Sequence, residues 1–279
     1  MNLTPKQVIK SAIGRVSPQA LSLIQASRMR LGFRRQFGMR QCYSKDRIFG
    51  SGCEPSVLSG PFEGMKYFNE TVWGPIEPKW IGCYEEELHG VIEKVIRAEY
   101  EAVIDVGSAE GYYAVGLAWR CPHARVFSYD TDIWSRLQQR RLARLNNVVN
   151  LKVGTVCGWN NFDCLRTSRT FVLCDIEGAE YDLLDPDAAP SLKHCDMLVE
   201  VHPHGKLSGR QVCDALTERF AGTHNITEIG VNTSRGDDIH SLLGGRLSAR
   251  EIATYVDENR DPKQVWLWLE TFATSNRHS

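Results

Sequence analysis

From residue 101 onward the chain repeats one pattern: a short, continuous apolar run of strand length, then a segment of helix length. The runs are "EAVIDVG" (101–107), "ARVFSYD" (124–130), "NLKVG" (150–154), "RTFVLCDIEG" (169–178) and "CDMLVEVHP" (195–203). Between them lie "GYYAVGLAWR", "TDIWSRLQQRRLARL", "AEYDLL" and, after the fifth, "SGRQVCDALTERF". Strands that do not alternate apolar with polar residues are buried on both faces, and helical crossovers cover both faces only of a parallel sheet. Two further runs, "NITEIGV" (225–231) and "VWLWLE" (265–270), are separated by "SAREIATYVDE", whose Ser248 and Glu251 form a capping box. The pattern predicts a doubly wound α/β sheet of the Rossmann-like kind.

In such a sheet a ligand sits outside the carboxyl ends of the strands, where the first strand turns into its helix. Here that turn reads "DVGSAEGYY" (105–113). Gly107 and Gly111 permit a tight turn and close backbone approach, and free amides opening the next helix favour an anionic group. The spacing is G-x-A-x-G, with Asp105 two residues ahead, rather than the G-x-G-x-x-G of dinucleotide enzymes. Asp130 ends the second strand 19 residues after Gly111. A carboxylate there can accept both hydroxyls of an adenosine ribose.

"VIDVGSAEGYY", "VFSYD" and "CDIEGAEYDLL" followed by "MLVEVH" resemble the class I S-adenosylmethionine (SAM) methyltransferases, and the D-x-E-G-x-E segment is similar to the FkbM-type group. The resemblance covers about residues 84–231. It implies a mostly parallel seven-stranded sheet with a terminal reversed hairpin, SAM as cofactor, and methyl transfer to a hydroxyl of a sugar, glycan, lipid-linked or polyketide substrate. It also implies roles: Asp105, Gly107 and the turn through Ser108, Ala109, Glu110, Gly111 and Tyr112 for the methionine end of SAM, and Asp130 for the ribose. Thr155 and Val156 would border the adenine. Asp175 would lie by the amino group and sulfonium, with Glu177 close behind; capping of the short helix "AEYDLL" is the alternative for Asp175 and Glu180.

The general base must be argued from chemistry. An alcohol attacks well only when a base takes its proton, a gain of roughly 10²–10⁴ in rate. "VEVHPH" brings Glu200, His202 and His204 to the carboxyl end of the fifth strand. His202 is the candidate base, since imidazole titrates near neutrality, with a structural histidine as the alternative and Asp175 as the other catalytic candidate. No metal is expected, although Asp175, Glu200 and His202 together would suit Mg²⁺. Amino-directed nucleic-acid methyltransferases carry N/D-P-P-Y where this chain has "DIEG", so nucleic acid is disfavoured as substrate. A fold that binds SAM without catalysis is the competing reading.

Outside this core the sequence divides into a basic arm (1–45), an irregular cap (46–83) and the SAM-dependent domain (84–279). Residues 1–45 hold nine Lys or Arg and no acid, interleaved with apolar residues, against 24 basic and 34 acidic residues afterwards. Peripheral contact with an anionic membrane and packing on the acidic body are both open readings of the arm. The cap carries Phe62, Tyr67, Phe68, Trp73 and Trp80, which could stack on sugar faces. "YEEELHGVIEKVIRAEY" (84–100) reads as a helix with carboxylates in its first turn. Nine cysteines without C-x-x-C, mostly in apolar runs, read as buried free thiols of a cytoplasmic protein. No run of about eighteen apolar residues and no export signal is evident.

Overall fold

The computed structural model describes residues 44–69, 74–163, 168–232, 239–243 and 245–272. The basic arm and Trp73 therefore lie outside the described residues, apart from the arm's last two positions.

Seven strands form one sheet: β1 (Ala102–Val106), β2 (Arg125–Tyr129), β3 (Leu151–Gly154), β4 (Thr170–Cys174), β5 (Asp196–Val201), β6 (His224–Gly230) and β7 (Val265–Thr271). Their order is β3-β2-β1-β4-β5-β7-β6. The first five pair in parallel, and β7 runs antiparallel to both β5 and β6. This is the expected doubly wound, Rossmann-like sheet, ending in the expected reversed hairpin. The chain leaves β1 in one direction across the sheet and returns to β4 on its other side, so the carboxyl ends of β1 and β4 form a topological switch point.

The helices are α1 (Glu77–Ile81), α2 (His89–Arg97), α3 (Tyr112–Arg120), α4 (Ile133–Leu145), α5 (Trp159–Asp163), α6 (Glu180–Leu183), α7 (Gly209–Phe220), α8 (Ile239–Leu242) and α9 (Ala249–Tyr255). Successive strand residues feed opposite faces. Val103, Phe171, Leu173, Leu198 and Trp266 pack with Ile92, Val115 and Leu142 on one face. Ile104, Val172, Met197 and Val199 pack with Phe162, Val212 and Leu216 on the other. Each fully buried side chain of this kind contributes roughly 1.5–3 kcal/mol. The capping box expected at Ser248 and Glu251 opens α9, and a second, Ser208 with Gln211, opens α7. The described cysteines are thiols rather than disulfides, and most are buried. Among the described residues no helix is long and apolar enough to cross a membrane.

Two expectations change. The described aromatic residues of segment 46–83 are built into the core, with Phe62, Trp80, Ile76 and Ile81 fully buried and Tyr67 and Phe68 nearly so, while Gly74, Pro75 and Lys79 of the same segment border a cleft at the switch point. The Trp80 indole donates to the Phe68 carbonyl at 2.7 Å. These rings cluster with Tyr112 and Tyr113 and offer no free face to a sugar. The helix expected over 84–100 begins later, at His89, after a 3-10 turn at Glu86–Leu88. Glu85 takes a left-handed φ of 49° and is buried against Arg260, so its carboxylate answers a buried cation rather than the helix dipole.

Candidate functional site

A cleft of about 940 Å³ opens at the switch point, floored by Val106, Gly107 and Ala109 after β1 and by Asp175 and Ile176 after β4. The approach of these two turns dictates glycine at 107. Its φ is +84°, and a Cβ there would stand 1.6 Å from the Asp175 carbonyl oxygen. The Asp175 amide donates to the Val106 carbonyl at 2.9 Å, locking the turns together. Ala109 (φ 44°) and Glu177 (φ 57°) both occupy the left-handed region, which non-glycine residues enter only at a cost of about 1 kcal/mol or more. Strain is thus held at both turns that floor the cleft.

Asp130, at the end of β2, braces the first turn. Its carboxylate accepts from the Ala109 amide at 2.8 Å and the Asp132 amide at 2.7 Å. Burial raises its pKa to about 6 despite those bonds. Each oxygen keeps a lone pair for a hydroxyl donor. Thr155 and Val156 line the same end of the cleft, together with Trp159, whose indole donates to the Leu183 carbonyl at 3.1 Å.

The remaining turn residues point elsewhere. Ser108, Glu110 and Tyr112, with Asp105, line a small cavity of about 40 Å³ that shares Lys79, Tyr84, Glu85, Gly107, Ala109 and Asp175 with the cleft. The Ser108 hydroxyl donates to the Asp105 carbonyl at 2.7 Å. Glu110 is fully buried, bonded to Lys79 and accepting from the Tyr67 hydroxyl at 3.2 Å. Tyr112 stacks edge-on against Phe62, Tyr67 and Tyr84. Their spacing put them in the turn, but the first residues of α3 face the core formed with segment 46–83. Neither carboxylate oxygen of Asp105 has a hydrogen-bond partner, and burial pushes its pKa to about 8. Gly111, with φ +98°, packs against Gln139 and caps α3.

At the other end of the cleft five groups converge. Asp175 lines it with an Oδ1 that has no hydrogen-bond partner; burial, reinforced by nearby Glu85, pushes its pKa to about 7. His202 stands behind this carboxylate, its Nε2 3.9 Å from Asp175 and 3.7 Å from both Glu177 and Glu200. His202 Nδ1 lies 3.0 Å from Glu180, whose two oxygens also accept from the Ile176 and Gly178 amides at 2.9 Å. Burial opposes a charge on the imidazole, but the Glu180 bond and the surrounding carboxylates outweigh it, and the His202 pKa is raised. Glu180 caps no helix; it holds the "DIEG" turn and the histidine. His204 contacts the Gly178 carbonyl at 2.7 Å and stacks on Tyr181.

Asp175, Glu200 and His202 each offer a ligand atom, all within 4.8 Å of one another, a donor set that suits a hard divalent cation. In this geometry, however, Glu200 already meets a cation. Arg260, on the loop before β7, bonds Glu200 and lies 2.6 Å from Glu85, with Glu258 and Glu87 at 3.9 and 4.0 Å. Arg260, Glu85, Lys79 and Gln264 all line the cleft and escape a sequence reading, because their importance lies in pairings with residues 31 to 175 positions away in the chain. The signal that remained was weak: "YEEE" carries more carboxylates than one helix start needs.

No protein-family model matches the chain, and no curated protein matches it. Solved structures do. The O-methyltransferase TomG of Streptomyces achromogenes, involved in tomaymycin synthesis and solved with SAM, is 11% identical over 68% of this chain and 81% of its own, with a TM-score of 0.45. An O-methyltransferase from Bacillus cereus, solved with SAH, is 10% identical over 64% and 77%, with a TM-score of 0.43. An rRNA methylase from Streptococcus thermophilus is 10% identical over 66% and 96%, with a TM-score of 0.43.

Proposed function

We propose that the chain is a SAM-dependent methyltransferase of the FkbM type that methylates a hydroxyl on a sugar, glycan, lipid-linked or secondary-metabolite substrate. The observation that carries this reading is the cleft at the switch point. A strained glycine turn braced by Asp130 lies at one end, and a buried carboxylate with an oxygen that accepts no hydrogen bond lies at the other.

The residues present fit the cofactor. Asp130 would hold the ribose hydroxyls, Thr155 and Val156 would border the adenine, and the amides of the 107–111 turn would receive the methionine carboxylate. Bound SAM supplies an electrophilic methyl group on a cationic sulfonium. The chain supplies alignment and a proton acceptor.

Of the two catalytic candidates, Asp175 is the better base. It lines the cleft, its Oδ1 accepts no hydrogen bond, and its pKa near 7 suits proton acceptance at neutral pH. His202 is held toward its protonated form by four carboxylates, so it positions Asp175 and offsets its charge. Glu177, 88% exposed, stands at the rim.

The test is isothermal calorimetry with SAM, paired with methyl transfer to hydroxyl-bearing glycans and glycolipids. Binding with transfer supports the proposal. Binding without transfer to any hydroxyl acceptor, together with an Asp175→Asn variant no different from wild type, would leave a SAM-binding scaffold.

A further inference from the structure

One edge of the molecule is both basic and apolar, and apart from Thr155, Val156 and Trp159, where it meets the cleft, nothing in the catalytic reading uses it. Residues 133–159, covering α4, β3 and the start of α5, contain five basic residues and no Asp or Glu. β3 is the outermost strand of the sheet, and α4 packs beside it. Of the exposed large hydrophobic residues, Ile133, Leu137, Leu145, Val149, Val156 and Trp159 all lie here, Val149 at 95% exposure; elsewhere among the described residues there are only Leu242 and Phe272.

α4 itself is two-faced. Ser135, Gln138, Gln139, Leu142 and Ala143 are buried. At 100° per residue, Ile133, Leu137, Arg140, Arg141 and Arg144 fall on the opposite side, with Arg136 and Leu145 at its flanks. Among the described residues none of these arginines forms an ion pair with a carboxylate, although the Arg136 charge acts on nearby Asp130. Arg136, Arg140 and Arg144 reach only backbone carbonyls, and Arg141 lies over the Phe68 ring at 5.1 Å. Lys152 on β3 is exposed as well.

We infer that the α4–β3 edge is a docking surface for an anionic lipid membrane. Arginines interleaved with aliphatic side chains on one helix face match the headgroup boundary, where cations meet lipid phosphate and aliphatics enter the acyl region. A nucleic acid would satisfy the arginines but would leave Ile133, Leu137, Leu145 and Val149 in water. Trp159, at the junction of this edge with the cleft, suits the same interface. Thr131 and Asp132, just before α4, line the cleft, so docking would bring its mouth to the membrane. The inference does not rest on the methyltransferase reading.

The test is sedimentation of the full chain with vesicles of phosphatidylcholine, alone or mixed with phosphatidylglycerol, at low and physiological salt. Wild type is expected to sediment with the anionic vesicles only, and less so as salt rises. Arg140→Glu with Arg144→Glu should lose at least about tenfold in partitioning, since each well-placed cation contributes about that order of affinity. Arg140→Lys with Arg144→Lys should retain binding, and Leu137→Ser should weaken it without changing charge. Should the charge-reversed chain fail to fold, the Leu137→Ser comparison decides. Charge-reversed or Leu137→Ser protein that sediments like wild type would overturn the inference. So would wild type that ignores anionic vesicles at low salt, or that binds duplex DNA in preference to them.

Discussion

Asp175 and His202 stand 3.9 Å apart, and each holds the other toward its charged form while burial works against both. Their titrations therefore belong to the pair, and the pH profile should report it. Methyl transfer is expected to fall as pH drops through about 7, where Asp175 takes up its proton. Asp175→Asn should lower kcat by roughly 10²–10⁴ with SAM affinity little changed. His202→Gln should cost less and should move the acid limb to higher pH, because removing a cation raises its neighbour's pKa. A larger loss in the histidine variant, with an unmoved limb, would return the base to His202. Arg260 makes a second forecast at this scale. Since it already neutralises Glu200, a chelator should leave turnover unchanged. Activity lost to EDTA and restored by Mg²⁺ would instead put a cation among Asp175, Glu200 and His202.

At the scale of elements, segment 46–83 supports the Gly107 turn from behind, through the buried Lys79–Glu110 pair. Glu110→Gln removes the carboxylate charge from a buried ion pair and should lower the Tm. Trp80→Ala should cost about 3–5 kcal/mol of stability through the cavity it leaves, with acceptor KM unchanged. A raised KM at an unaltered Tm would return that segment to the acceptor site. These elements also show what a sequence can disclose. β1, β4 and β5 are buried at every position, so their apolar runs were plain. Gly107 and Asp130 were readable because turn geometry and strand-end position are local properties. The aromatic core of 46–83 has no period, since its rings arrive from turns and single bridges such as Ser56 with Lys66. The core contacts of Glu110 and Tyr112 were not readable, because sequence spacing gives position along a turn and not which side of it a side chain takes.

Across the whole molecule, the chain keeps three carboxyls, Asp130, Asp175 and Asp105, at pKa values of about 6, 7 and 8 against a usual 3.8. A raised carboxyl holds its proton in the folded state where the unfolded chain has lost it, so stability declines as pH rises from about 4 through those values. Raised His202 works in the same direction, its contribution present below about 6.5 and lost as pH passes its folded value; lowered His224 opposes it. The Tm without ligand should accordingly be higher near pH 5.5 than at pH 8, and a flat or rising profile would show that these groups are not buried as described. A cationic ligand in the cleft would favour the ionised carboxyls, so SAM should bind with release of protons. Calorimetric titration of SAM into wild type and Asp130→Ala, at neutral pH and in two buffers of different ionisation enthalpy, tests the central claim most directly. The account predicts one site, net proton release, and affinity at least about tenfold weaker in the variant, which loses both the ribose acceptor and the brace of the Ala109 amide. No detectable heat or displacement with wild type, or an unchanged Kd in a folded Asp130→Ala protein, would contradict it.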